Sequence, residues 1–342
     1  MTGTLALCEE ETNVLVSIKK RLTKKRGDIA SLENLLGAWE EFLVGKKSKR
    51  DVQDFKMHLM EEIVSLRNDV VKFSYRHGGY EAFKISDPKP RDIHKAPVRD
   101  RLLHHAIYRV LYPFFDKTFI ADSYSCRIGK GTHKALERFE SFCKKVSRNN
   151  TRTVWVLKCD IRKFFASIDH AVLLGILSEY ISDSDIVDLL REIIESFSSA
   201  RPGVGLPLGN LTSQLFVNIY MNDFDQFMKH TLKEKYYIRY ADDFVILSES
   251  KIWLEYQLPK IAAYLSTRLK LDLHPRKVSI ATLASGIDFL GWVIFPDHKV
   301  LRTATRRRMI RRLGATVAPG TISSYKGLLK HGNTYRLSRE IF

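Results

Sequence analysis

Two adjacent aspartates, Asp242 and Asp243, separate two apolar segments in the sequence YYIRYADDFVILS, residues 236–248. Both segments are rich in β-branched and aromatic residues and alternate like paired strands, so the sequence predicts a tight hairpin with the carboxylates at its tip. Adjacent carboxylates repel each other unless a cation neutralises them, which makes the pair a candidate hard-cation site. The alternative is ordinary turn chemistry, because aspartate side chains also hydrogen-bond to their own backbone.

A third carboxylate, Asp160, ends a hydrophobic segment in TVWVLKCDIRKFF, residues 153–165. One aspartate at a strand end and two at a hairpin tip can hold two divalent ions for an in-line displacement at phosphorus. One ion would lower the pKa of the attacking hydroxyl, and the other would stabilise the leaving pyrophosphate. A structural calcium site and unrelated surface charges are the alternatives.

These segments resemble motifs of a known enzyme family. Asp160 with Phe165 resembles motif A of the reverse transcriptases, and YADD at 240–243 resembles their motif C. The resemblance implies an RNA-directed DNA polymerase that uses two Mg²⁺ ions, for which Mn²⁺ can substitute, and that binds deoxynucleoside triphosphates, a template RNA and an RNA/cDNA duplex. The metal-ligand positions that it implies are Asp160, Ile161, Asp242 and Asp243.

Two basic segments resemble the fingers motifs of the family. In PKPRDIHKAPVRDRLLHHAI the resemblance places Lys89 and Arg91 against the nucleotide triphosphate, and arginine suits forked contacts with phosphate oxygens. In DSYSCRIGKGTHKA it makes Arg127, Lys130 and Lys134 available to the template backbone.

Two later segments resemble motifs D and E. In HPRKVSI the resemblance makes Lys277 a candidate catalytic proton donor to the departing pyrophosphate, and the alternative is a solvated surface lysine. GIDFLGW resembles the primer grip, a hairpin against the primer end, and the alternative for its aromatic residues is palm core. The primer-binding residues implied are Phe289, Leu290, Gly291 and Trp292.

Phe165 occupies the position at which the family places an aromatic ring under the sugar of the incoming nucleotide. A bulky ring there leaves no room for a 2′-hydroxyl, so deoxynucleotides are the expected substrates. The alternative is that Phe164 or Phe165 belongs to the core, and strand alternation predicts one ring in each role.

The segment in place of motif B indicates a branch of the family. It reads LGNLTSQ from Leu208 to Gln214, with Gly209 second, where most reverse transcriptases carry Gln-Gly-x-x-x-Ser-Pro. This form resembles the enzymes of diversity-generating retroelements, which copy a template RNA with frequent errors opposite adenine. Replacing a polar contact beside the nascent pair by leucine should lower the penalty for a mispair, because a site discriminates strongly where the wrong partner leaves a buried polar group unsatisfied.

The composition fits a nucleic-acid enzyme. The chain has 56 Lys+Arg against 39 Asp+Glu, a formal net charge of +17 and a sequence pI of about 9.6. Basic blocks lie at 19–26 and 46–50, for the first of which a nuclear-localisation signal is an alternative. A third block with helical spacing predicts a thumb helix on duplex backbone, with Met309, Ile310 and Leu313 on one side. Its arginines include Arg302, Arg306, Arg307, Arg308, Arg311 and Arg312.

Cysteine usage and hydropathy indicate the compartment. Cys8, Cys126, Cys143 and Cys159 show no metal-ligand spacing and no secreted disulfide framework, so reduced thiols in a cytoplasm are expected. No apolar segment approaches transmembrane length and no signal peptide is recognisable, so no membrane partner is expected.

The elements that must position these residues define an α+β fold. Amphipathic spacing predicts helices over 31–45 and 54–73 in an N-terminal helical extension. The resemblance then implies a right-hand polymerase, whose palm is an antiparallel ferredoxin-like split βαβ sheet with helices on one side. The expected parts are an extension at 1–80, fingers at 81–150, a palm with the catalytic aspartates at 151–280, and a primer grip with a small basic thumb at 281–342.

The expected function is RNA-directed DNA synthesis for a diversity-generating retroelement, with a small basic helical accessory protein oligomer as partner because a short thumb holds duplex weakly. Because few residues follow Trp292, we expect none of the maturase, endonuclease or ribonuclease H regions of other enzymes. A phage-defence reverse transcriptase is the runner-up. A group II intron or retron enzyme and an inactive RNA-binding scaffold are the remaining alternatives.

Overall fold

The N-terminal part of the chain is a layer of four helices. A computed structural model describes residues 20–86, 90–313 and 319–342, so Cys8, Lys19 and Lys89 lie outside the described residues. The helices are α1 (Arg26–Ile29), α2 (Leu32–Leu43), α3 (Arg50–Met57) and α4 (Leu59–Val71).

The helix predicted over 54–73 is interrupted. α3 ends at Met57 and α4 begins at Leu59, with His58 at φ −113° and ψ 24° between them. The spacing of apolar residues continues across this break, so periodicity alone could not locate it. α2 begins as expected, because the side chain of Ser31 accepts a hydrogen bond from the backbone N–H of Asn34.

The next part combines a hairpin with two long helices. β1 (Glu81–Ile85) pairs antiparallel with β2 (Arg91–Lys95), and α5 (Val98–Phe115) and α6 (Thr132–Val146) follow. α5 packs against the N-terminal layer, and its apolar side chains Leu102, Leu103, Ala106, Ile107 and Leu111 are fully buried.

The central sheet has four antiparallel strands in the order β4-β5-β3-β6. They are β3 (Trp155–Asp160), β4 (Tyr237–Tyr240), β5 (Asp243–Ser248) and β6 (Ser279–Thr282). β3 and β5 are the inner strands, and helices connect β3 to β4 and β5 to β6. This is the split βαβ arrangement that the sequence predicted.

Five helices accompany the sheet: α7 (Phe164–Ser167), α8 (His170–Tyr180), α9 (Ser184–Glu195), α10 (Leu211–Gln226) and α11 (Lys251–Leu269). A π-helical turn, Phe227–Thr231, extends α10. These helices carry buried apolar residues of the core on one face of the sheet, in agreement with the prediction.

The opposite face of the sheet is also covered, which the sequence did not predict. Val156 and Val245 point into a second core formed with α6, whereas Leu157 and Phe244, their chain neighbours, point into the first. The alternation of β-strand side chains therefore serves two cores, so both faces of β3 and β5 are apolar.

The C-terminal part contains a three-stranded sheet and three helices. The strands are β7 (Ile287–Phe289), β8 (Trp292–Ile294) and β9 (Lys299–Leu301), in the order β7-β8-β9. The helices are α12 (Thr303–Leu313), α13 (Pro319–Leu329) and α14 (Tyr335–Ile341). Among all described helices, none is long and apolar enough to cross a membrane.

Candidate active site

Three aspartates meet at one end of the central sheet. Asp160, the last residue of β3, is the cross-strand partner of Asp243, the first residue of β5. The backbone N–H of Ile161 donates to the carbonyl of Asp242 at 3.2 Å, which brings the hairpin loop beside the end of β3. The structure thus brings together all four residues that were predicted as metal-ligand positions.

The hairpin that carries Asp242 and Asp243 forms as predicted. β4 and β5 pair from Tyr237↔Ile246 to Tyr240↔Asp243, which leaves Ala241 and Asp242 as a two-residue loop. Ala241 has φ +55°, the positive value that short hairpin loops require. Cross-strand partners share a face, so Asp160 and Asp243 project from the same side of the sheet.

Burial and mutual repulsion shift the acidity of this pair. Burial raises the pKa of Asp243 to about 6, Lys158 and Lys277 oppose this shift, and the neighbouring charges of Asp242 and Asp160 add to it. Burial also raises the pKa of Asp242, and Asp160 adds to that shift. Carboxylates held in this way are stabilised by any cation that binds among them.

Lys277 supplies positive charge at the centre. Its Nζ lies 2.8 Å from both carboxylate oxygens of Asp160 and helps to restrain the pKa of Asp242. The side chain of Lys277 is 43% exposed, so it is a surface lysine that also contacts the carboxylate centre. Within 20–86, 90–313 and 319–342, no three His, Cys, Asp or Glu side chains are arranged to hold a metal ion. Both oxygens of Asp160 are paired with Lys277, so binding of an ion among the three aspartates would require this pair to separate.

A buried ion pair stabilises the hairpin formed by β4 and β5. Arg239 in β4 donates from Nε and Nη2 to the two carboxylate oxygens of Asp225 in α10, at 2.8 and 2.7 Å, and both side chains are fully buried. Nη1 of Arg239 also donates to the carbonyl of Ala241 at 3.1 Å, which holds the loop that carries Asp242. Sequence reasoning missed this pair, although an arginine inside the apolar strand YIRY was a usable signal.

The loop before α10 contacts both the region of Phe165 and the β1–β2 hairpin. The N–H of Leu206 donates to the carbonyl of Phe165 at 2.8 Å, and the N–H of His94 donates to the carbonyl of Leu208 at 3.0 Å. Gly209 has φ +109°, and a Cβ there would lie 2.8 Å from Cγ2 of Ile93, so the position requires glycine. Gln214 lies half-buried in the first turn of α10.

Phe164 and Phe165 adopt different environments, as predicted, but not for the predicted reason. Phe164 is buried and Phe165 is half-buried. They belong to the short helix α7, which follows Lys163 in a left-handed conformation, so strand alternation does not apply. The backbone carbonyl of Phe165 accepts the hydrogen bond from Leu206 in the loop before α10.

Of the two residues predicted to bind the triphosphate, the structure describes Arg91. Arg91 is exposed at the start of β2, at the tip of the hairpin, and is close enough to Asp242 to lower its pKa against the effect of burial. Lys89 lies outside the described residues.

The structure gives Arg127 a structural role in place of the predicted template contact. Its guanidinium donates to the Asp116 carboxylate at 2.6 Å and to the carbonyls of Ile120 and Ser123, and its side chain is only 6% exposed. Lys130 is half-buried, with Nζ bonded to the carbonyl of Ala121 at 2.7 Å. Because these groups already satisfy the donors of Arg127, it is not free to bind a phosphate.

The predicted primer-grip segment forms a hairpin whose aromatic residues are core. Phe289 and Trp292 are buried, and the ring of Phe289 packs on Phe139 of α6 at 5.5 Å between centroids. For these two residues the alternative of core packing is correct. Leu290 and Gly291 form the turn, with φ +49° and +89°, and remain the part of the hairpin that a primer could reach.

The predicted thumb helix exists as α12, with a correction to its apolar side. Met309 is fully buried and Leu313 packs on the second core, but Ile310 is 45% exposed. Arg306 pairs with Glu340 at 3.2 Å, and Arg307 is exposed.

A groove of about 400 Å³ runs from the carboxylates to the β7–β8 hairpin. Lys158 lines it, on the same face of β3 as Asp160, and its Nζ donates to the carbonyl of Asp288 at 2.6 Å. The carboxylate of Asp288 pairs with Arg302, just before α12. Sequence reasoning missed Lys158, although its position two residues before Asp160 placed it on the same face.

Comparison with known proteins gives the family of this chain. Residues 85–294 match the family model "Reverse transcriptase (RNA-dependent DNA polymerase)". The chain is 26% identical over 260 residues to protein YkfC of Escherichia coli, covering 65% of this chain and 66% of YkfC. It is 23% identical over 295 residues to the group II intron-encoded protein LtrA of Lactococcus lactis, covering 66% of this chain and 47% of LtrA. The match thus spans less than two-thirds of the length of either relative.

A solved structure agrees in fold. The apo telomerase of Candida tropicalis superposes with a TM-score of 0.50 and 12% sequence identity, covering 68% of this chain and 49% of that chain. With the antiparallel split βαβ sheet described above, this is a right-hand polymerase fold. The chain therefore belongs to the reverse transcriptase (RNA-dependent DNA polymerase) family.

Proposed function

We propose that the protein is an RNA-directed DNA polymerase whose catalytic carboxylates are Asp160, Asp242 and Asp243. The observation that carries this proposal is the cross-strand pairing of Asp160 with Asp243 at one end of the sheet, with Asp242 held alongside. In-line transfer of a nucleotide requires carboxylates gathered at such a point, next to surfaces for template, primer and triphosphate.

The chemistry of the donor set fits divalent cations. Mg²⁺, or Mn²⁺ in its place, binds carboxylate and carbonyl oxygens, and three aspartates gathered where burial raises the pKa of Asp242 and Asp243 are a donor set of this kind. The reverse transcriptase family typically uses divalent ions. Asp160, Asp242, Asp243 and the backbone at Ile161 would hold the two ions. When bound, they lower the pKa of the attacking hydroxyl and stabilise the charge on the leaving pyrophosphate.

The other residues orient and protonate the substrates. Arg91 presents a guanidinium to the triphosphate, and Lys277 donates a proton to the pyrophosphate as it departs. Phe165 selects deoxynucleotides by excluding a 2′-hydroxyl. The half-buried turn Leu290–Gly291 and the arginines of α12 contact the primer and the duplex backbone.

We also propose which regions of the chain form the parts of the polymerase. The helical layer up to residue 80 is the N-terminal extension, residues 81–150 are fingers and residues 151–280 are the palm. Residues 281–342 then provide the primer grip and thumb.

We assign the specific role of error-prone, adenine-mutagenic copying for a diversity-generating retroelement, on the segment from Leu208 to Gln214. An aliphatic side chain at 208 offers no hydrogen bond to the nascent pair, which lowers the cost of a mispair. A small basic helical accessory oligomer would then assist the short thumb in holding duplex.

A second candidate has an observation in its favour. The match to a group II intron-encoded protein favours a role in copying an intron-like RNA with ordinary fidelity. A phage-defence role is the third candidate. All three require polymerisation, whereas an inactive RNA-binding scaffold does not.

The test is primer extension on an RNA template with Mg²⁺ and four deoxynucleotides, followed by sequencing of the products. Asp243→Asn should abolish extension while the fold is retained, and the scaffold alternative predicts no effect on function. Leu208→Gln should reduce errors opposite template adenines if the diversification role is correct. Faithful copying by the unaltered protein would favour the other two roles. The matched control is Leu206→Met, a conservative change at a buried residue of the same loop.

A further inference from the structure

Two aromatic side chains are exposed on α11. Trp253 is 43% exposed and Tyr256 is 58% exposed, and their ring centroids are 6.2 Å apart. The apolar side of the helix is elsewhere, since Leu254 and Ile261 are fully buried in the first core. The exposed faces of these rings are therefore not part of the apolar packing of α11 on the sheet.

Lysines surround the two rings. Nζ of Lys260 lies 3.8 Å from the ring centroid of Tyr256. Lys233 and Lys235 are exposed in the segment before β4, on either side of the buried Glu234. Their segment is tied to α11 because the indole N–H of Trp253 donates to the carboxylate of Glu234 at 3.0 Å.

We propose that this surface, the α11 patch of Lys233, Lys235, Trp253, Tyr256 and Lys260, binds single-stranded RNA. Bases of any sequence stack on exposed aromatic rings, and lysines beside the rings neutralise the backbone phosphates. The formal net charge of +17 favours a polyanionic ligand over a protein surface of mixed charge. The inference rests on the proposed function, because it takes the ligand to be an uncopied part of the template RNA.

The position of the patch separates it from the catalytic cleft. Nζ of Lys251, at the start of α11, lies 5.6 Å from the ring centroid of Trp155, which begins β3. Asp160 ends the same strand, roughly 17 Å away at the usual rise per residue. α11 also packs on the face opposite to the carboxylates. RNA on the α11 patch is thus a flanking segment that anchors the template while another segment is copied.

The test measures a second RNA on a protein whose cleft is already filled. The full chain is saturated with a short RNA-template/DNA-primer duplex, and a labelled short oligoadenylate is titrated by fluorescence anisotropy. Tyr256→Ala should weaken its binding about tenfold, and Tyr256→Phe should retain it because the ring remains. Lys235→Ser should weaken binding and reduce the slope of log K against log salt by about 0.7.

The control variant is Glu255→Gln, which removes a negative charge beside Tyr256 and should leave binding unchanged or slightly tighter. Extension of a short primer should be unaffected in every variant. Equal binding of oligoadenylate by the Tyr256→Ala and Lys235→Ser variants would overturn the inference. Loss of self-association or of a bound protein, with RNA binding intact, would also overturn it. Loss of oligoadenylate binding in a protein that extends no primer would support the patch and reject the proposed function.

Discussion

Arg239 and Asp225 form a bidentate ion pair that is fully excluded from solvent, with Nε and Nη2 at 2.8 and 2.7 Å from the two carboxylate oxygens. The hydroxyl of Tyr237 donates to the same carboxylate at 2.7 Å. Through the third nitrogen of Arg239, this pair reaches the carbonyl of Ala241. The β4–β5 hairpin, which carries Asp242 and Asp243, is therefore held by a charge pair between a strand and a helix.

Removing one partner of this pair should destabilise the protein strongly. We expect Asp225→Ala to lower the free energy of unfolding by about 3–5 kcal/mol, because it leaves the Arg239 charge buried without a counterion. Urea unfolding followed by circular dichroism measures the change. Arg191→Ala, which removes an exposed arginine paired with Asp188 and Glu195, is the matched control and should cost less than about 1 kcal/mol. Equal effects of the two substitutions would show that the buried pair contributes no more than a surface pair.

Asp243 should make stability depend on pH when divalent ions are chelated. Its pKa is raised from 3.8 to about 6 in the folded state, so between these values the folded state binds more protons than the unfolded state. Its contribution therefore lowers stability as the pH rises from about 4 to about 6, and is constant above that range. Asp243→Asn should raise the Tm at pH 7.5 in chelator and leave it nearly unchanged at pH 4.

Addition of Mg²⁺ at pH 7.5 should stabilise the unaltered protein more than the Asp243→Asn variant. It should raise the Tm of the unaltered protein and have a smaller effect on the Asp243→Asn variant, because a carboxylate ligand is missing. A Tm that responds equally in both proteins would place the bound ion elsewhere.

Lys277 should affect the rate of the chemical step more than binding. Its contact with both oxygens of Asp160 places an ammonium at the carboxylate centre. We expect Lys277→Met to lower kcat by about 10²-fold or more, the usual loss for a general acid, with the Kd for primer–template unchanged. Single-turnover extension measures the step. Lys270→Met, which removes a lysine paired with Asp169, is the control and should leave kcat within a few-fold.

Gly209→Ala should disturb the contact between the β1–β2 hairpin and the loop before α10. The added Cβ would lie 2.8 Å from Cγ2 of Ile93, and residues other than glycine rarely adopt the φ of +109° at this position. We expect a rise in the KM for deoxynucleotides and a loss of more than about 1 kcal/mol of stability. Gly203→Ala, at φ +71° with open space around the Cβ, tests backbone strain alone. If the two variants have the same KM, the contact with Ile93 does not position the nucleotide.

The three aspartates of the candidate catalytic centre and the strands that carry them can be predicted from the amino-acid sequence alone. Strand alternation and turn chemistry at YADD predict the hairpin, and an acidic residue at the end of a hydrophobic strand predicts its partner. These patterns involve residues that are adjacent in the chain, so they can be recognised without knowledge of the fold. The basic composition likewise follows from counting residues.

Only the tertiary structure decided which polar side chains are available. The sequence predicts Arg127 and Lys130 as template ligands. In the structure, the guanidinium of Arg127 donates hydrogen bonds to Asp116 and to backbone carbonyls. Phe289 and Trp292 are buried in the second core, where Phe139 of α6 packs on the ring of Phe289. Arg239 directly precedes the YADD segment, but its partner Asp225 lies in α10. Burial and pairing depend on contacts between segments far apart in the chain, and a one-dimensional pattern does not encode them.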